Sequence, residues 1–552
     1  MAVDPDRPKD SASSAMKNVV QALEALYEKA LTAAKAHFAP GGKPDGKKLN
    51  AEQLRAHGLA YLATETMACR ELAGWAERTG GELEQAIARA YVAELARTVR
   101  SGLDLGACET VAIEELGITE ADLQETVLRE EIVAFVREHG SAEAYVRIAH
   151  LAREKGSYGE LGLDDDLLRE VRGQFAKFVD SEVIPRAQDI HRNDVLVPMS
   201  ILEQMSELGV FGLTIPEEYG GLGLGKVAMC VVTEELSRGY IGVGSLGTRA
   251  EIAAELILGG GTEEQKKHYL PKIAAGEILP TAVFTEPNTG SDLAHLGTRA
   301  VRQADGSYVV HGQKTWITHA VRADLMTLLA RTNPDDPGYG GLSMLLAPKT
   351  RLDPAPGEKE FVDPGLDGTE IKVLGYRGMK EYELSFDGFV VPEGALLGGQ
   401  EGEGFKQLMR TFESARIQTA ARGVGVAQAA LEDAMRYANE RVQFGKAIFE
   451  FPRVARKIGR MIARNQAARQ LTYFSARQKD SDKRCDLEAG MAKLLATRAA
   501  WEAADANVQI HGGNGYAEEY LASRLLVDAR VLSIFEGANE IQAHVVARRL
   551  LD

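Results

Sequence analysis

The chain changes character at Val283-Phe284-Thr285-Glu286-Pro287-Asn288-Thr289-Gly290-Ser291-Asp292. Before this stretch apolar residues recur at the spacing of amphipathic helices, and after it come short runs typical of β-strands. Asp305-Gly306 lies between two such runs and predicts a hairpin. Further strands are predicted within residues 325–329, 342–346 and 383–386. The stretch therefore begins a β-domain, predicted over residues 281–397.

The chain on either side of the β-domain has the pattern of helices. From Gly404 onward, long segments rich in Ala and Leu run without interior proline, which predicts an antiparallel helical bundle over residues 398–552. Residues 159–280 are predicted to form another helical domain, and residues 1–158 a helical extension with a structural or assembly role. The predicted fold class is mainly α with a central β-domain.

One glycine-rich segment approaches the dinucleotide-binding pattern GxGxxG. It reads Gly242-Val243-Gly244-Ser245-Leu246-Gly247. A dinucleotide site requires a buried strand before the glycines and an acidic residue about 20 positions later. Residues 233–238 have helical periodicity instead. A Rossmann site is therefore rejected, and a glycine-rich helix packed closely against a neighbour is predicted.

Composition and charge argue against several classes of function. The 552 residues have a formal net charge of -16 and no long basic run, so neither nucleic acid nor an anionic membrane surface is an expected partner. Cys69, Cys108, Cys230 and Cys485 are far apart and form no CxxC pair, which argues against a disulfide framework or a zinc site. No apolar run reaches the roughly 18 residues of a membrane span. The first residues also lack the pattern of a signal peptide, and a cytoplasmic protein without a metal is predicted.

Two further stretches contain residues suited to chemistry. Gly312-Gln313-Lys314-Thr315-Trp316-Ile317-Thr318 places a tryptophan among hydroxyl residues, where it could stack on a planar cofactor, although most lone tryptophans belong to a core. Ser533-Ile534-Phe535-Glu536-Gly537-Ala538-Asn539-Glu540-Ile541-Gln542 places a glutamate between apolar residues and a glycine. Taken alone, Glu536 is typical of a solvated turn. A carboxylate kept dry at this position would be more basic.

Five stretches in order resemble the motifs of the acyl-CoA dehydrogenase family. They are residues 283–292 (similar to TEPxxGSD), 312–318 (GxKxWIT), Glu440-Arg441-Val442-Gln443-Phe444-Gly445-Lys446 (ERxxFGK), Gln509-Ile510-His511-Gly512-Gly513-Asn514-Gly515-Tyr516 (QxxGGxGY) and Ile534-Phe535-Glu536-Gly537 (IYEG). The resemblance covers about residues 161–552. It implies a helical domain, a β-domain and a four-helix bundle, with FAD between the last two, in a homodimer or homotetramer. The extension before it is not part of the common family pattern.

The resemblance also implies which residues hold FAD. The isoalloxazine is expected against Phe284, Thr285, Trp316, Ile317 and Thr318. A neighbouring subunit is expected to contact the pyrophosphate and adenosine through Arg441, Gln443, Phe444, Gln509, Gly512 and Gly513. A guanidinium suits a diphosphate, and glycines permit close approach of the backbone. Ala538 and Glu540 are further expected cofactor contacts, and Ser291 is expected near both the cofactor and the CoA moiety.

Glu536 matches the catalytic base of the family. The implied reaction is α,β-dehydrogenation of an acyl-CoA, in which Glu536 removes the α-proton while the β-hydrogen leaves as hydride to the flavin. Because that C–H is a very weak acid, hydrogen bonds to the thioester oxygen and a pKa of Glu536 raised by desolvation are expected. Some members place the base on a helix, at a position that is Ala415 here, and alanine cannot act as a base.

The resemblance, with the helical extension, implies a short branched acyl-CoA, and (2S)-methylsuccinyl-CoA of the ethylmalonyl-CoA pathway is the expected substrate. Its distal carboxylate requires a cation if buried. Arg249 is the candidate, and pairing of Arg249 with Glu251 or Glu255 at the surface is the alternative. The other expected substrate contacts are Glu413, Arg416 and Gly537, and Gly242, Gly244 and Gly247 are expected to leave room for the branch.

Other activities stay open at this point. Isobutyryl-CoA, 2-methylbutyryl-CoA and glutaryl-CoA are alternative substrates, and an acyl-CoA oxidase or a flavin monooxygenase is an alternative enzyme class on the same fold. An electron-transferring flavoprotein is the expected electron acceptor of a dehydrogenase.

Overall fold

The computed structural model describes residues 11–106, 109–355 and 357–552. Cys108 and the first residues, which were assessed for a signal peptide, lie outside these ranges. Cys69, Cys230 and Cys485 are buried free thiols. Within the described ranges no helix combines the length and the apolar character that a membrane crossing requires.

The N-terminal extension is helical, as predicted, but it also contains a small hairpin that was not predicted. Its elements are α1 (Ser11–Phe38), α2 (Gly46–Ala51), α3 (Gln53–Thr79), α4 (Glu82–Thr98), β1 (Leu103–Gly106), β2 (Glu109–Val111), α5 (Glu120–Glu125), α6 (Glu130–His139) and α7 (Ala142–Lys155). In β1 only two residues, Leu103 and Leu105, are buried in the alternating pattern of a strand. This run is too short to be distinguished from a helical pattern by periodicity.

The next helical segment contains the glycine-rich helix. Its helices are α8 (Asp166–Phe178), α9 (Ile184–Asn193), α10 (Met199–Glu207), α11 (Lys226–Gly239), α12 (Ile241–Gly260) and α13 (Glu263–Ala274). The prediction of a closely packed helix is confirmed by α12, because a Cβ at Gly244 would collide with Ser237 of α11. A Cβ at Gly242 would lie 3.1 Å from the Arg377 carbonyl, and one at Gly247 would lie 3.1 Å from the Val210 side chain. These glycines allow close packing of α12, and the expectation that they leave room for a substrate branch stays a prediction.

The central sheet contains the predicted hairpin and strands. Its strands are β3 (Pro280–Val283), β4 (Arg299–Arg302), β5 (Tyr308–Thr318), β6 (Leu325–Arg331), β7 (Leu342–Pro348), β8 (Leu366–Ile371) and β9 (Glu381–Val391). The order is β3-β6-β4-β5-β9-β8, with β7 paired to β6, and β4 and β5 are antiparallel neighbours. Sequence reasoning missed β3 and β8. β3 is held by a partner distant in sequence, β6, whereas β8 pairs with the next strand in the chain, β9.

The C-terminal part is a bundle of long helices, as predicted. Its elements are α14 (Gly404–Glu440), β10 (Val442–Gln443), β11 (Lys446–Ala447), α15 (Pro452–Asp480), α16 (Asp486–His511), α17 (Leu521–Leu532) and α18 (Asn539–Leu551). The short helix α17 was not predicted. α14 packs against α11, α12, α15 and α16, so it links the bundle to the glycine-rich helix.

The extension packs on this bundle through buried charges. α3 and α7 contact α15, and α3 also contacts α18. Arg464 of α15 forms ion pairs with Glu65 (3.0 Å) and Glu94 (2.8 Å), and Arg460 reaches Glu94 at 3.1 Å. Burial acts to raise the pKa of Glu94, but the two guanidiniums and the Tyr145 hydroxyl outweigh it and hold that pKa far below its usual range. The interface therefore depends on ionised carboxylates.

Removal of the central arginine should destabilise this interface strongly. Arg464→Ala leaves Glu65 and Glu94 buried without their shared cation, and such a change costs about 3–5 kcal/mol. The free energy of unfolding, from urea titration followed by circular dichroism, should fall accordingly. Arg147→Ala is the control, because the exposed Arg147–Glu82 pair should contribute less than about 1 kcal/mol. Equal effects of the two substitutions would contradict a structural role for the buried network.

Candidate active site

Glu536 lies in a tight turn that joins α17 to α18. Glu536 and Gly537 both have left-handed backbone conformations, with φ of 54° and 89°. Lys493 of α16 holds this turn by donating to the Gly537 carbonyl (2.6 Å) and to the Asn539 side-chain oxygen (3.2 Å). The Glu536 side chain is only 11% exposed. The alternative of a solvated turn is therefore wrong.

Two arginines from different helices hold the Glu536 carboxylate. Nη2 of Arg249, on α12, lies 2.8 Å from Oε1 of Glu536, and Nη2 of Arg422, on α14, lies 3.6 Å from the same oxygen. Both arginine side chains are buried. The two glutamates considered as surface partners of Arg249 form ion pairs with Lys226 instead. The surface alternative for Arg249 is thus wrong, and the residue lies at the candidate base.

An aromatic and hydroxyl shell encloses this ion pair. The Arg422 guanidinium lies over the Phe535 ring at 4.7 Å, and Tyr376 meets Phe535 edge to face at 5.5 Å. Arg422 also donates to the Ser245 hydroxyl at 3.0 Å, and that hydroxyl is hydrogen-bonded to Tyr376. The apolar residue before the glutamate therefore positions its arginine partner as well as excluding water.

The pKa of Glu536 is lowered in this structure, which contradicts the expectation from sequence. Burial acts to raise the pKa, but the guanidiniums of Arg249 and Arg422 outweigh it and bring it below 4.5, its ordinary value. The apolar neighbours predicted desolvation correctly, whereas two cations from helices distant in sequence were not visible. Without substrate, Glu536 is an ionised and weak base.

The two β-domain motifs lie side by side. The Thr315 N–H donates to the Thr285 carbonyl at 3.0 Å, and Lys314 donates to the Phe284 carbonyl at 2.9 Å. Lys314 also forms a buried ion pair with Glu286 at 3.0 Å. The structure therefore brings residues 283–292 and 312–318 together at one edge of the sheet.

This edge has the features of a face for a planar ring. Trp316 lies at a bulge in β5 and has a left-handed backbone conformation, and the residue is 56% exposed. Ile317 is buried in the core of the β-domain, and the Thr318 hydroxyl beside it donates to Glu381 at 3.1 Å. An uncovered indole next to a hydroxyl fits the isoalloxazine of FAD. Ser291, expected near cofactor and CoA, is exposed close by in the chain.

The motif residues expected at the FAD of a neighbouring subunit lie elsewhere, on the surface at one end of the bundle. They are Arg441, Gln443, Phe444, Gln509, Gly512 and Gly513. Asn514 donates to the Tyr437 hydroxyl at 3.0 Å, which brings the two segments together. Phe444 is 94% exposed, and a Cβ at Gly512 or Gly513 would meet no described atom within 4 Å. An uncovered phenyl ring, a guanidinium and open glycines fit the adenosine and diphosphate of FAD.

The remaining predicted residues lie around these two regions. Glu413 pairs with Lys479 at 2.9 Å, and Arg416 lies over the Phe412 ring at 5.7 Å. Ala538 directly precedes α18, and Glu540 is exposed in the first turn of that helix. No hydrogen bond or ion pair among the described residues links the Arg441 region to Glu536.

Sequence reasoning missed three charged residues of the site. Arg422 and Lys493 lie within runs of small and apolar residues on α14 and α16, and both side chains are fully buried. A charged residue in an otherwise apolar helical stretch is a pattern that could have identified them. Glu381 stands between polar residues at the start of β9 and showed no such pattern.

Comparisons with known proteins agree on one family over most of the chain. The family model described as "Acyl-CoA dehydrogenase, N-terminal domain" matches residues 165–277, the middle-domain model matches residues 281–389, and the C-terminal-domain model matches residues 402–551. A (2S)-methylsuccinyl-CoA dehydrogenase of Cereibacter sphaeroides is 55% identical over 538 residues, which cover 96% of each chain. Because of this coverage, that relative also shares most of the N-terminal extension.

Solved structures match the part of the chain after the extension. Butyryl-CoA dehydrogenase from Megasphaera elsdenii has a TM-score of 0.66 at 31% identity, over 70% of this chain and 99% of its own. A chain from a structure described as an electron transferring flavoprotein of Acidaminococcus fermentans has a TM-score of 0.66 at 33% identity, over 70% of this chain and 98% of its own.

Removal of the nearer guanidinium should make the Glu536 carboxyl more basic. Arg249→Met leaves Arg422 as the only guanidinium beside Glu536, so the pKa of Glu536 should rise, whereas Arg249→Lys, which keeps a cation, should change it less. Infrared difference spectra against Glu536→Gln in each background would give the pH at which this carboxyl loses its proton. The same midpoint in the wild type and in Arg249→Met would contradict control of the base by Arg249.

Proposed function

The chain belongs to the acyl-CoA dehydrogenase family, and we propose that it oxidises (2S)-methylsuccinyl-CoA to mesaconyl-CoA. It is an FAD-dependent oxidoreductase that acts on a CH–CH bond. The observation that favours a substrate with a free carboxylate, as in methylsuccinyl-CoA or glutaryl-CoA, is the presence of two buried guanidiniums, those of Arg249 and Arg422, on one carboxylate. The 55% identical relative, which is named for methylsuccinyl-CoA, supports that choice between the two.

The charge balance at Glu536 favours a substrate with a free carboxylate. Arg249 and Arg422 together carry two positive charges against the single negative charge of Glu536. Buried charges are costly unless they are paired. The distal carboxylate of methylsuccinyl-CoA supplies a further anion, whereas the uncharged isobutyryl and 2-methylbutyryl chains would add none beside the two guanidiniums.

Binding of this carboxylate would also change the strength of the base. When the substrate anion shares the guanidinium of Arg249, the cation stabilises the ionised form of Glu536 less. Burial then dominates, and the pKa of Glu536 rises toward the range needed for proton abstraction. The arginine pair therefore links recognition of the substrate carboxylate to activation of the base.

The reaction removes two hydrogens from adjacent carbons. Glu536 takes the α-proton on a carboxylate oxygen, and the electron pair of that C–H bond forms the new double bond as the β-hydrogen departs. FAD, when bound, supplies the acceptor for the β-hydrogen as hydride. Among the described residues the Glu536 N–H donates to no backbone carbonyl, so it is available to stabilise the negative charge that develops on the thioester oxygen.

We further propose a homodimer or homotetramer that passes electrons to an electron-transferring flavoprotein in the cytoplasm. The exposed set of Arg441, Phe444 and Gln509 supports assembly, because it lies apart from Glu536 and fits the FAD of another subunit. The likeness to a chain from the electron transferring flavoprotein structure of Acidaminococcus fermentans supports the acceptor.

Substitution of the base should abolish chemistry while leaving the cofactor in place. Glu536→Gln keeps the size of the side chain and its contact with Arg249 but cannot accept the α-proton. The rate of flavin bleaching by methylsuccinyl-CoA in stopped flow should fall by at least about 10²–10⁴-fold, the range that general bases contribute. The flavin absorption and the circular dichroism spectrum should match the wild type. Bleaching at the wild-type rate would refute the assignment of Glu536.

Substitution of Arg249 should change substrate preference. Arg249→Ala leaves a bound substrate carboxylate short of one partner, which costs about 2–5 kcal/mol. kcat/KM for methylsuccinyl-CoA should therefore fall by more than tenfold, mainly through KM. The uncharged 2-methylbutyryl-CoA is the matched control and should be affected much less. An equal loss of kcat/KM with both thioesters would show that Arg249 does not bind the substrate carboxylate.

A further inference from the structure

Glu381 is a buried carboxyl group that the proposed reaction does not use. It is the first residue of β9 and pairs in register with Thr318, the last residue of β5. The Thr318 hydroxyl donates to Oε2 of Glu381 at 3.1 Å. The other oxygen, Oε1, is buried and has no hydrogen-bond partner among the described residues. Glu381 is thus a carboxyl group with half of its hydrogen-bonding capacity unmet.

This environment disfavours the ionised form of Glu381. A buried carboxylate needs several donors to replace water, and here one hydroxyl supplies a single hydrogen bond. Burial raises the pKa of Glu381 to about 7, with Glu536 acting in the same direction and with Thr318 and Arg249 opposing. Both the acid and the carboxylate are therefore accessible near neutral pH.

The protonation state of Glu381 decides where the hydrogen of the Thr318 hydroxyl points. A threonine hydroxyl has one hydrogen to donate and two lone pairs to accept. Ionised Glu381 can only accept, so it takes that hydrogen. Protonated Glu381 can donate its own O–H to Thr318, which leaves the threonine hydrogen free for another acceptor. Trp316, two residues before Thr318, marks the face at which the isoalloxazine is expected.

We propose that Glu381 is a positioning residue that directs the Thr318 hydroxyl toward the flavin when protonated and withdraws it when ionised. The inference rests on the proposed function, because it takes Thr318 to be a cofactor contact. A substrate carboxylate at Arg249 adds negative charge near Glu381 and so favours the protonated form. Dicarboxylate binding therefore prepares the hydroxyl for the cofactor as well as the base for the α-proton.

Other titratable and charged groups face this pair. The charges that act on Glu381 are those of Arg249 on α12 and of Glu536 in the turn before α18. Glu381 in turn acts to raise the pKa of Tyr376, in the loop before β9. His319 follows Thr318, and burial with nearby cations lowers its pKa to about 3, so it stays neutral near pH 7.

Two lysines near the site also change charge close to neutrality. Burial lowers the pKa of Lys493 to about 7 and that of Lys314 to about 8. A pH response of the flavin could come from either lysine, so the experiment must assign the response to Glu381 by substitution.

The test is the absorption spectrum of the FAD-loaded, substrate-free enzyme between about pH 5.5 and 9. This range covers the pH at which Glu381 is expected to lose its proton. The wild type should show a sigmoidal change in the flavin bands centred near pH 7. Glu381→Gln keeps an amide that can donate at every pH, so its spectrum should stay constant and resemble that of the wild type at low pH. Thr318→Val should also remove the change, and Thr318→Ser, which keeps the hydroxyl, should retain it.

Three outcomes would overturn the role of Glu381: a wild-type spectrum that does not respond to pH, a response that persists in Glu381→Gln, or one that persists in Thr318→Val. The last result would mean that the charge of Glu381 acts on the flavin without the hydroxyl. If Glu381→Gln fails to fold, Glu381→Met, which also removes the titrating group, replaces it, and a pH response that persists in that variant would overturn the role of Glu381 in the same way. Failure of the wild type to bind FAD, or to bleach with methylsuccinyl-CoA, would instead contradict the proposed function.

Discussion

The buried ion pair between Glu536 and the two arginines is the interaction on which the site depends. Its members come from α12, α14 and the turn between α17 and α18, so the carboxylate is correctly placed only when these elements are packed together. Two guanidiniums on one carboxylate leave a positive excess in a dry pocket. This excess of positive charge lowers the pKa of Glu536 in the free protein and favours binding of a second anion. One arrangement thus accounts for the lowered pKa of Glu536 and for the preference for a dicarboxylic thioester.

Buried charge is also the means by which the large helical parts of the chain fit together. Arg464 links α15 to two glutamates of the extension, and Arg469 of the same helix pairs with Glu234 of α11 at 2.7 Å. A misplaced helix would leave such charges unpaired, at several kcal/mol each. Apolar packing alone tolerates small shifts between helices far better than this. Hydrophobic burial therefore keeps the helices in contact, and the buried ion pairs determine their exact relative positions.

Much of the fold and part of the site were predictable from local sequence. The Asp305-Gly306 hairpin, the long C-terminal helices and the helix containing Gly244 follow from turn chemistry and periodicity, which act over a few residues. The strand β3 was missed because its stability comes from pairing with β6, a strand much later in the chain. The same distinction holds at the site. The desolvation of Glu536 could be predicted from Ile534 and Phe535, but the direction of its pKa could not, because Arg249 and Arg422 lie more than a hundred residues away in the chain.

The left-handed turn at Glu536 and Gly537 constrains how this enzyme can diversify. A β-branched side chain is strongly disfavoured at positive φ, and Lys493 anchors the turn through a backbone carbonyl that no substitution at position 537 would remove. The backbone conformation of the turn that carries Glu536 is thereby restricted. Arg249 and Arg422 stand on regular helices, whose backbone conformation is open to every residue except proline, although both side chains are buried. Mutational drift at these helical positions can therefore change the acyl group that is recognised while the turn keeps its shape, but loss of either arginine also changes the pKa of Glu536, so that selectivity and the strength of the base evolve together.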